Sequence, residues 1–302
     1  MSSRLQPARQ LGSTGVQVPL VGYGTAPLGK GDVSPQQAAR CLNHAIDLGI
    51  TYLDTSPDYG SEPHVGEVMR TRRNEVFLAT KVNRRSKDGV LKEVEDSLRT
   101  LQTDHLDLVQ IHSVSAWADL EQALAPDGAV AALETLRQQG KIRFIGITGH
   151  ARPAILGQAL MQYPFDTVLV AMGIVDRLIT SPETFVLPIA REKRIGVIAM
   201  KTLGHGHVKN VDLALRYALG LEGVSLAIVG MDVPIQIDQI VEVAAAFAPL
   251  REEEEASLIE EVRPLVQKDA EASQKGASDL FWLHDTTVTG WSNHDEPVLV
   301  RY

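Results

Sequence analysis

Cysteine is almost absent from this chain: Cys41 is the only one in 302 residues. A single thiol excludes an internal disulfide framework and any zinc site built on cysteine, and it fits a reducing compartment, so a cytoplasmic protein is expected. Long apolar runs are missing too. No stretch reaches the roughly 18 consecutive apolar residues that a membrane helix needs, and Met1 to Gln10 is polar, without the apolar core of an export signal. Positive charge is short as well, with 29 Lys and Arg against 38 Asp and Glu, scattered rather than clustered. The net charge of -9 repels phosphate backbones and anionic lipid surfaces, so neither nucleic acid nor a membrane is an expected partner. One further absence bears on the fold. No apolar strand runs into a complete G-x-G-x-x-G at the start of a helix; Gly22-Tyr23-Gly24-Thr25-Ala26 supplies the first two glycines only. That disfavours a doubly wound open sheet.

What is present is alternation. Residues 8–19 read as a hairpin around Ser13-Thr14-Gly15, placed to plug or cap the main body of the chain. Eight apolar strands then recur: Leu20 to Gly24, Thr51 to Asp54, Val76 to Val82, Leu106 to His112, Phe144 to Thr148, Thr167 to Met172, Gly196 to Lys201 and Ser225 to Gly230. Amphipathic helices fall between them. Ser34 caps one, with Pro35 at its first position, and others cover Val130 to Gln139, Pro153 to Gln162 and Val211 to Leu219. Eight such units over residues 20–248 predict an α/β fold, a closed (β/α)8 or TIM barrel, within a single domain spanning 1–302. Residues 249–302 add a helix opening on Arg251 to Glu255, whose acids suit a helix N-terminus, and an irregular tail.

Three strand ends hold chemistry. Asp54 closes the second strand and Tyr59 lies in the turn after it; Lys81 lies near the end of the third and His112 at the end of the fourth. In a barrel of this kind the strands' carboxyl ends form the active rim, so these four side chains converge. An Asp cap, a snorkelling Lys or a core His explains any one of them, but not three successive strand ends. A tyrosine with an ordinary pKa of about 10 needs help to act as an acid near neutrality. Lys81 is expected to lower it, Asp54 to pair with Lys81, and His112 to orient a substrate oxygen by a hydrogen bond. Such a set suits hydride addition to a carbonyl carbon, the hydride coming from a cofactor.

These residues resemble the aldo/keto reductase family, nicotinamide-dependent (β/α)8 oxidoreductases. The signature covers Gly49 to Gly60, with Glu62, Gly66 and Glu67 continuing it, and Thr80-Lys81 and Gln110-Ile111-His112 match the next two catalytic strands. The resemblance implies a catalytic tetrad of Asp54, Tyr59, Lys81 and His112, with Tyr59 as general acid and a small carbonyl compound as substrate. It places the cofactor against Gly24, Thr25 and Asp54 on one side. Thr148 and Gly149 stand where the family grips the nicotinamide carboxamide with Ser-Asn. Leu169 stands at the usual glutamine and Met200 at the usual stacking aromatic. Lys201, Thr202, Leu203 and Gly204 match a pyrophosphate loop, shorter here. Gly230, Met231, Asp232, Gln236 and Gln239 match the adenosine-phosphate segment, with Gly230 and Gln236 where basic residues often read the 2′-phosphate. NADP is the cofactor implied by the family and NAD the alternative suggested by Asp232.

The three tryptophans, Trp117, Trp282 and Trp291, fall in the loop Ser113 to Asp127 and in the tail, and are expected to wall the substrate pocket with Tyr59 and His112. Two other readings compete. A metal-dependent hydrolase would recruit His112, His150, His205 and His207 with Asp54, but leaves Tyr59 and Lys81 unexplained. A nicotinamide-binding redox sensor would keep the barrel without turnover.

Overall fold

The computed structural model describes residues 7–273 together with Leu280 and Trp282. Strands β1 (Ala8–Gln10) and β2 (Gln17–Pro19) form the antiparallel hairpin. Leu11 and Val18 are buried against Tyr52, Phe77, Leu108 and Leu226, residues of the barrel's interior. Gly12, at φ +54°, explains the close seat: a Cβ there would come within 2.2 Å of the Gly196 backbone nitrogen. The hairpin thus plugs the mouth at the strands' amino ends.

The barrel comprises β3 (Val21–Gly24), β4 (Tyr52–Asp54), β5 (Phe77–Val82), β6 (Leu106–Ile111), β7 (Ile142–Gly149), β8 (Thr167–Ala171), β9 (Gly196–Met200) and β10 (Val224–Gly230). It is closed and parallel, with β10 paired to both β9 and β3. Both strand faces are buried, which is why the strands are Val, Ile, Leu and Ala with little polar alternation. Tyr52, Phe77, Ala79, Leu108, Leu169, Ile198 and Leu226 fill the inside. Their neighbours Leu53, Leu78, Val109, Val168 and Val197 belong to the larger core shared with the surrounding helices. Ser34 caps the helix Pro35–Asp47, its hydroxyl accepting from the Gln37 nitrogen. The long helix Glu252–Ser273 is tied to the barrel's helices by ion pairs of Glu254 with Arg216 at 2.9 Å and of Glu255 with Arg177.

All eight expected strands form, their ends displaced by at most two residues. The displacement matters at Lys201. Rather than closing β9, it sits just beyond Met200 in the left-handed region at φ +59°, where the chain turns into the next loop. Trp117 also departs from expectation: it opens the helix Trp117–Leu124 and is half exposed. Trp291 lies outside the described residues. Among those residues no helix is long and apolar enough to cross a membrane.

Candidate active site

Side chains alternate along a strand, so the register of β4, β5 and β6 decides what meets inside. Tyr52 pairs with Phe77 and Ala79 with Leu108, while Lys81 pairs with Gln110 two residues nearer the carboxyl rim. The lower layer is aromatic, Tyr52 stacking on Phe77 at 5.1 Å and Phe77 on Phe144 at 6.2 Å. The layer above is charged. The Lys81 ammonium forms an ion pair with Asp54, both only 1% exposed, and donates a second hydrogen bond to the Thr55 carbonyl at 2.8 Å. Gln110 Nε2 donates to the other Asp54 oxygen at 2.9 Å. A buried pair persists only when its remaining hydrogen-bonding capacity is met in this way. Burial pulls the Lys81 pKa down, but Asp54 and Tyr59 outweigh it and leave the ammonium held well above its ordinary value.

Tyr59 ends the tight turn Pro57–Tyr59. Its backbone carbonyl is so close to Gly29 that a Cβ on Gly29 would lie 1.8 Å from it, so only glycine permits the turn to press against the neighbouring loop. The Lys81 ammonium lies 4.5 Å from the centre of the Tyr59 ring. The expected direction of its effect on acidity holds, since Lys81 lowers the phenol's pKa. Burial works the other way and is larger, and the hydroxyl is pushed up to about 12. The expectation of a tyrosine tuned towards neutrality is therefore corrected: the loss of solvent around the phenol resists ionisation more than one adjacent ammonium assists it.

His112 comes directly after β6. Its nitrogen donates to the Val82 carbonyl at 3.0 Å, and its own carbonyl accepts from Arg85, a buried guanidinium held bidentate by Asp119. The imidazole meets the Tyr59 ring edge to face at 5.8 Å. Burial, reinforced by the charges of Lys81, Arg85 and Lys201, outweighs the opposing Asp58 and pushes its pKa down to about 3, so the ring is neutral. Nδ1 lies 2.8 Å from Asn83 Oδ1. Neither Asn83, Gln110 nor the Arg85–Asp119 pair figured among the residues assigned from sequence. Gln110 was within reach, because it shares the inward face of β6 with Leu108 and His112.

A cleft of about 530 Å³ opens beside Asp54 and Tyr59. It is lined by Gly24, Met200, Lys201, Thr202 and Leu203 and by Gly230, Met231, Asp232, Gln236 and Gln239. Lys30 lines it as well and was not assigned from sequence. Thr25 does not line it: its buried hydroxyl is bonded to the Asp54 carbonyl at 3.0 Å and to Ser61 at 2.8 Å, fixing the loops after β3 and β4 to each other. Gly149 and Gly204 are also packed into the framework. At the end of β7 the hydroxyl of Thr148 is buried with no hydrogen-bond partner among the described residues. Such an atom costs about 1–3 kcal/mol unless something meets it. Gln236 is partly committed, its side-chain oxygen accepting from the nitrogens of Asp232 and Val233 at 2.9 and 3.4 Å. The Asp232 carbonyl accepts from Gln37 Nε2 at 2.9 Å and from the Cys41 thiol at 3.3 Å, which fixes the backbone that bears this carboxylate.

Lys201 is half-buried, and burial lowers its pKa to about 8. Its ammonium contacts His205. Trp282 closes over this loop, its ring 5.0 Å from that of His205 and its indole N–H donating to Asp176 at 3.0 Å. Burial raises the Asp176 carboxyl to about 7.

The family model described as "Aldo/keto reductase family" matches residues 20–212. The L-galactose dehydrogenase of Arabidopsis thaliana is 31% identical over 76% of this chain and 86% of its own length. An aldo-keto reductase from Bacillus halodurans, solved in its holo form, superposes with a TM-score of 0.74 at 27% identity, covering 85% of this chain and 96% of the other. An aldo-keto reductase from Klebsiella pneumoniae in complex with NADPH gives a TM-score of 0.70 at 26% identity, covering 85% and 95%.

Proposed function

This chain belongs to the aldo/keto reductase family, and from that premise we propose that it is an NADPH-dependent oxidoreductase that reduces aldehydes or ketones to alcohols, with Tyr59 as general acid. The observation that supports this most is the buried cluster in which Lys81 joins Asp54 to Tyr59 beside a cleft. The residues present suit a nicotinamide dinucleotide. Thr148 offers an unpartnered buried hydroxyl where the carboxamide would be held, Lys201 and Lys30 offer cations along the cleft, and Met200 offers a polarisable surface for a flat ring. The bound cofactor supplies the hydride. Everything else falls to the chain. At neutral pH Tyr59 keeps its proton and gives it to the carbonyl oxygen as negative charge gathers there, and the ammonium of Lys81 stabilises the tyrosinate left behind. Asp54 holds that ammonium in place, and the His112 ring packs edge to face on Tyr59. Trp117, Trp282 and Trp291 remain candidates for the substrate wall, with Trp282 already seated on the loop at Lys201.

The test is NADPH oxidation in the presence of a panel of short and bulky aldehydes and ketones. Turnover with several of them is expected, and none with any would overturn the proposal. Asp232 provides a second expected result. It stands in the cleft as a fixed carboxylate, so it repels the additional phosphate of NADPH and not the hydroxyl of NADH. Asp232→Asn should tighten NADPH roughly two- to fivefold, as befits one partly exposed charge pair, and leave NADH almost alone. Fluorescence titration of both cofactors reads the difference, and equal changes would remove Asp232 from phosphate discrimination.

A further inference from the structure

Three neighbouring strands bring a polar row into the interior of the barrel. Register sets Gln110 of β6 beside Gly146 of β7, and Gly146 beside Thr167 of β8. The side chains of Gln110 and Thr167 turn to the same place: a Cβ on Gly146 would lie 2.4 Å from Thr167 Oγ1 and 3.0 Å from Gln110 Cγ. Both residues are fully buried. The Asp54 carboxylate can only accept, so the Gln110 amide must turn its nitrogen to it, at 2.9 Å, and its oxygen away. That oxygen and the Thr167 hydroxyl each bond to no described residue. A buried amide oxygen calls for a donor and a buried hydroxyl for a partner. Here the two meet across the room that a glycine leaves, and a buried water needs just that, room and at least two polar groups.

We propose that one water bound beside Gly146 joins Thr167 Oγ1 to Gln110 Oε1, and that Thr167 and Gln110 are thereby positioning residues for Asp54. The proposal rests on the reading of Asp54, Lys81 and Tyr59 as the proton-donating set. The water accepts from the Thr167 hydroxyl and donates to Gln110 Oε1, which leaves the amide a single orientation. Asp54 Oδ2 then receives the amide nitrogen, and Oδ1 is left to the ammonium of Lys81. That ammonium faces the Tyr59 ring, so a carboxylate held on both oxygens sets the direction from which the charge reaches the phenol. Strands β8 and β4 stand opposite each other in the closed barrel. A hydroxyl on the far wall thus steadies the catalytic turn through the interior, without touching cofactor or substrate. Take the hydroxyl away and the water loses a partner, the amide is free to rotate, and Asp54 loses its second tether.

The water can be seen without any turnover. A crystal structure of the wild-type protein should show one ordered water within about 3.2 Å of both Thr167 Oγ1 and Gln110 Oε1, and Thr167→Val, which keeps the shape and removes the hydroxyl, should lose it. In reduction of a short aldehyde Thr167→Val should lower kcat about tenfold, part of the roughly 10²-fold that a misplacement of about 1 Å can cost. KM and the NADPH dissociation constant read by fluorescence titration should stay within about twofold, because neither reports the proton transfer. Thr167→Ser puts the hydroxyl back and should restore kcat. Gln110→Leu should lose at least as much as Thr167→Val, and the two together no more than Gln110→Leu alone, since both act through one water. If Thr167→Val fails to fold, Thr167→Ala takes its place. A dry site in the wild type, a direct bond between Thr167 and Gln110, a kcat unchanged in Thr167→Val or a loss that Thr167→Ser does not restore overturns the inference and leaves the Tyr59 reading in place. No turnover of any carbonyl compound by the wild type overturns the Tyr59 reading, and the positioning role with it.

Discussion

Tyr59→Phe should lower kcat for carbonyl reduction by about 10²- to 10⁴-fold, the range that a positioned general acid supplies, while cofactor affinity stays nearly the same. The phenyl ring keeps the contacts that hold the turn, including the edge-to-face packing with His112, so the loss isolates the hydroxyl. The pH dependence separates this role from a structural one. Reduction needs the protonated phenol, which is the form below about 12. The rate of reduction should therefore show no loss assignable to Tyr59 from pH 6 to 10. Alcohol oxidation needs the tyrosinate, scarce throughout that range, so its rate should climb steadily with pH. In Tyr59→Phe that climb should vanish. A variant that reduces aldehydes at the wild-type rate, or that keeps the rising oxidation profile, would assign the proton to another group.

The contrast between what could be read from the sequence and what could not has a physical pattern. The barrel was legible because each strand is a short apolar run bounded by glycine or charge, and closure demands no information beyond their number and order. That Asp54, Lys81 and His112 lie at one rim was legible because position along a strand fixes both face and height. Asp54, Lys81 and His112 needed nothing more than that periodicity to be brought together. Acidity was not legible. Whether an ammonium or burial governs Tyr59 depends on how its turn is seated, and the turn's backbone is pressed against Gly29, some thirty residues upstream. The setting of His112 depends likewise on Asn83, held in turn by Glu93; the two meet because the chain turns between β5 and the next helix, a feature no periodicity announces. Lys201 is a third case. Its left-handed conformation is uncommon for a side chain of that length, so a reading by type extends β9 one residue too far. Trp117 opens a helix after Ala116, with no side-chain cap to mark the start.

Removing Lys81 should cost stability as well as activity, and a second substitution should restore only the stability. In Lys81→Met the Asp54 carboxylate stays 1% exposed with Gln110 as its remaining side-chain partner. An uncompensated buried charge of this kind destabilises by about 3–5 kcal/mol. Protonation would relieve it, so in the variant the folded-state pKa of Asp54 should stand above the value in the unfolded chain. The folded state then binds the proton more tightly, and the deficit against wild type should shrink as the pH falls towards 4 and grow as it rises. Lys81→Met combined with Asp54→Asn removes both charges and leaves an amide that Gln110 can still meet. Urea unfolding at pH 7 should find the double variant more stable than the single one by about 2 kcal/mol or more, since removing both partners of a buried pair costs far less than removing one. Turnover should not recover with it. Without the ammonium the Tyr59 phenol loses the charge that draws its pKa down, and both variants should reduce aldehydes at least about 10²-fold more slowly than wild type. Activity recovering in step with stability would mean that the pair only holds the barrel rim together, and a single variant as stable as wild type would mean that Asp54 finds another partner when Lys81 is gone.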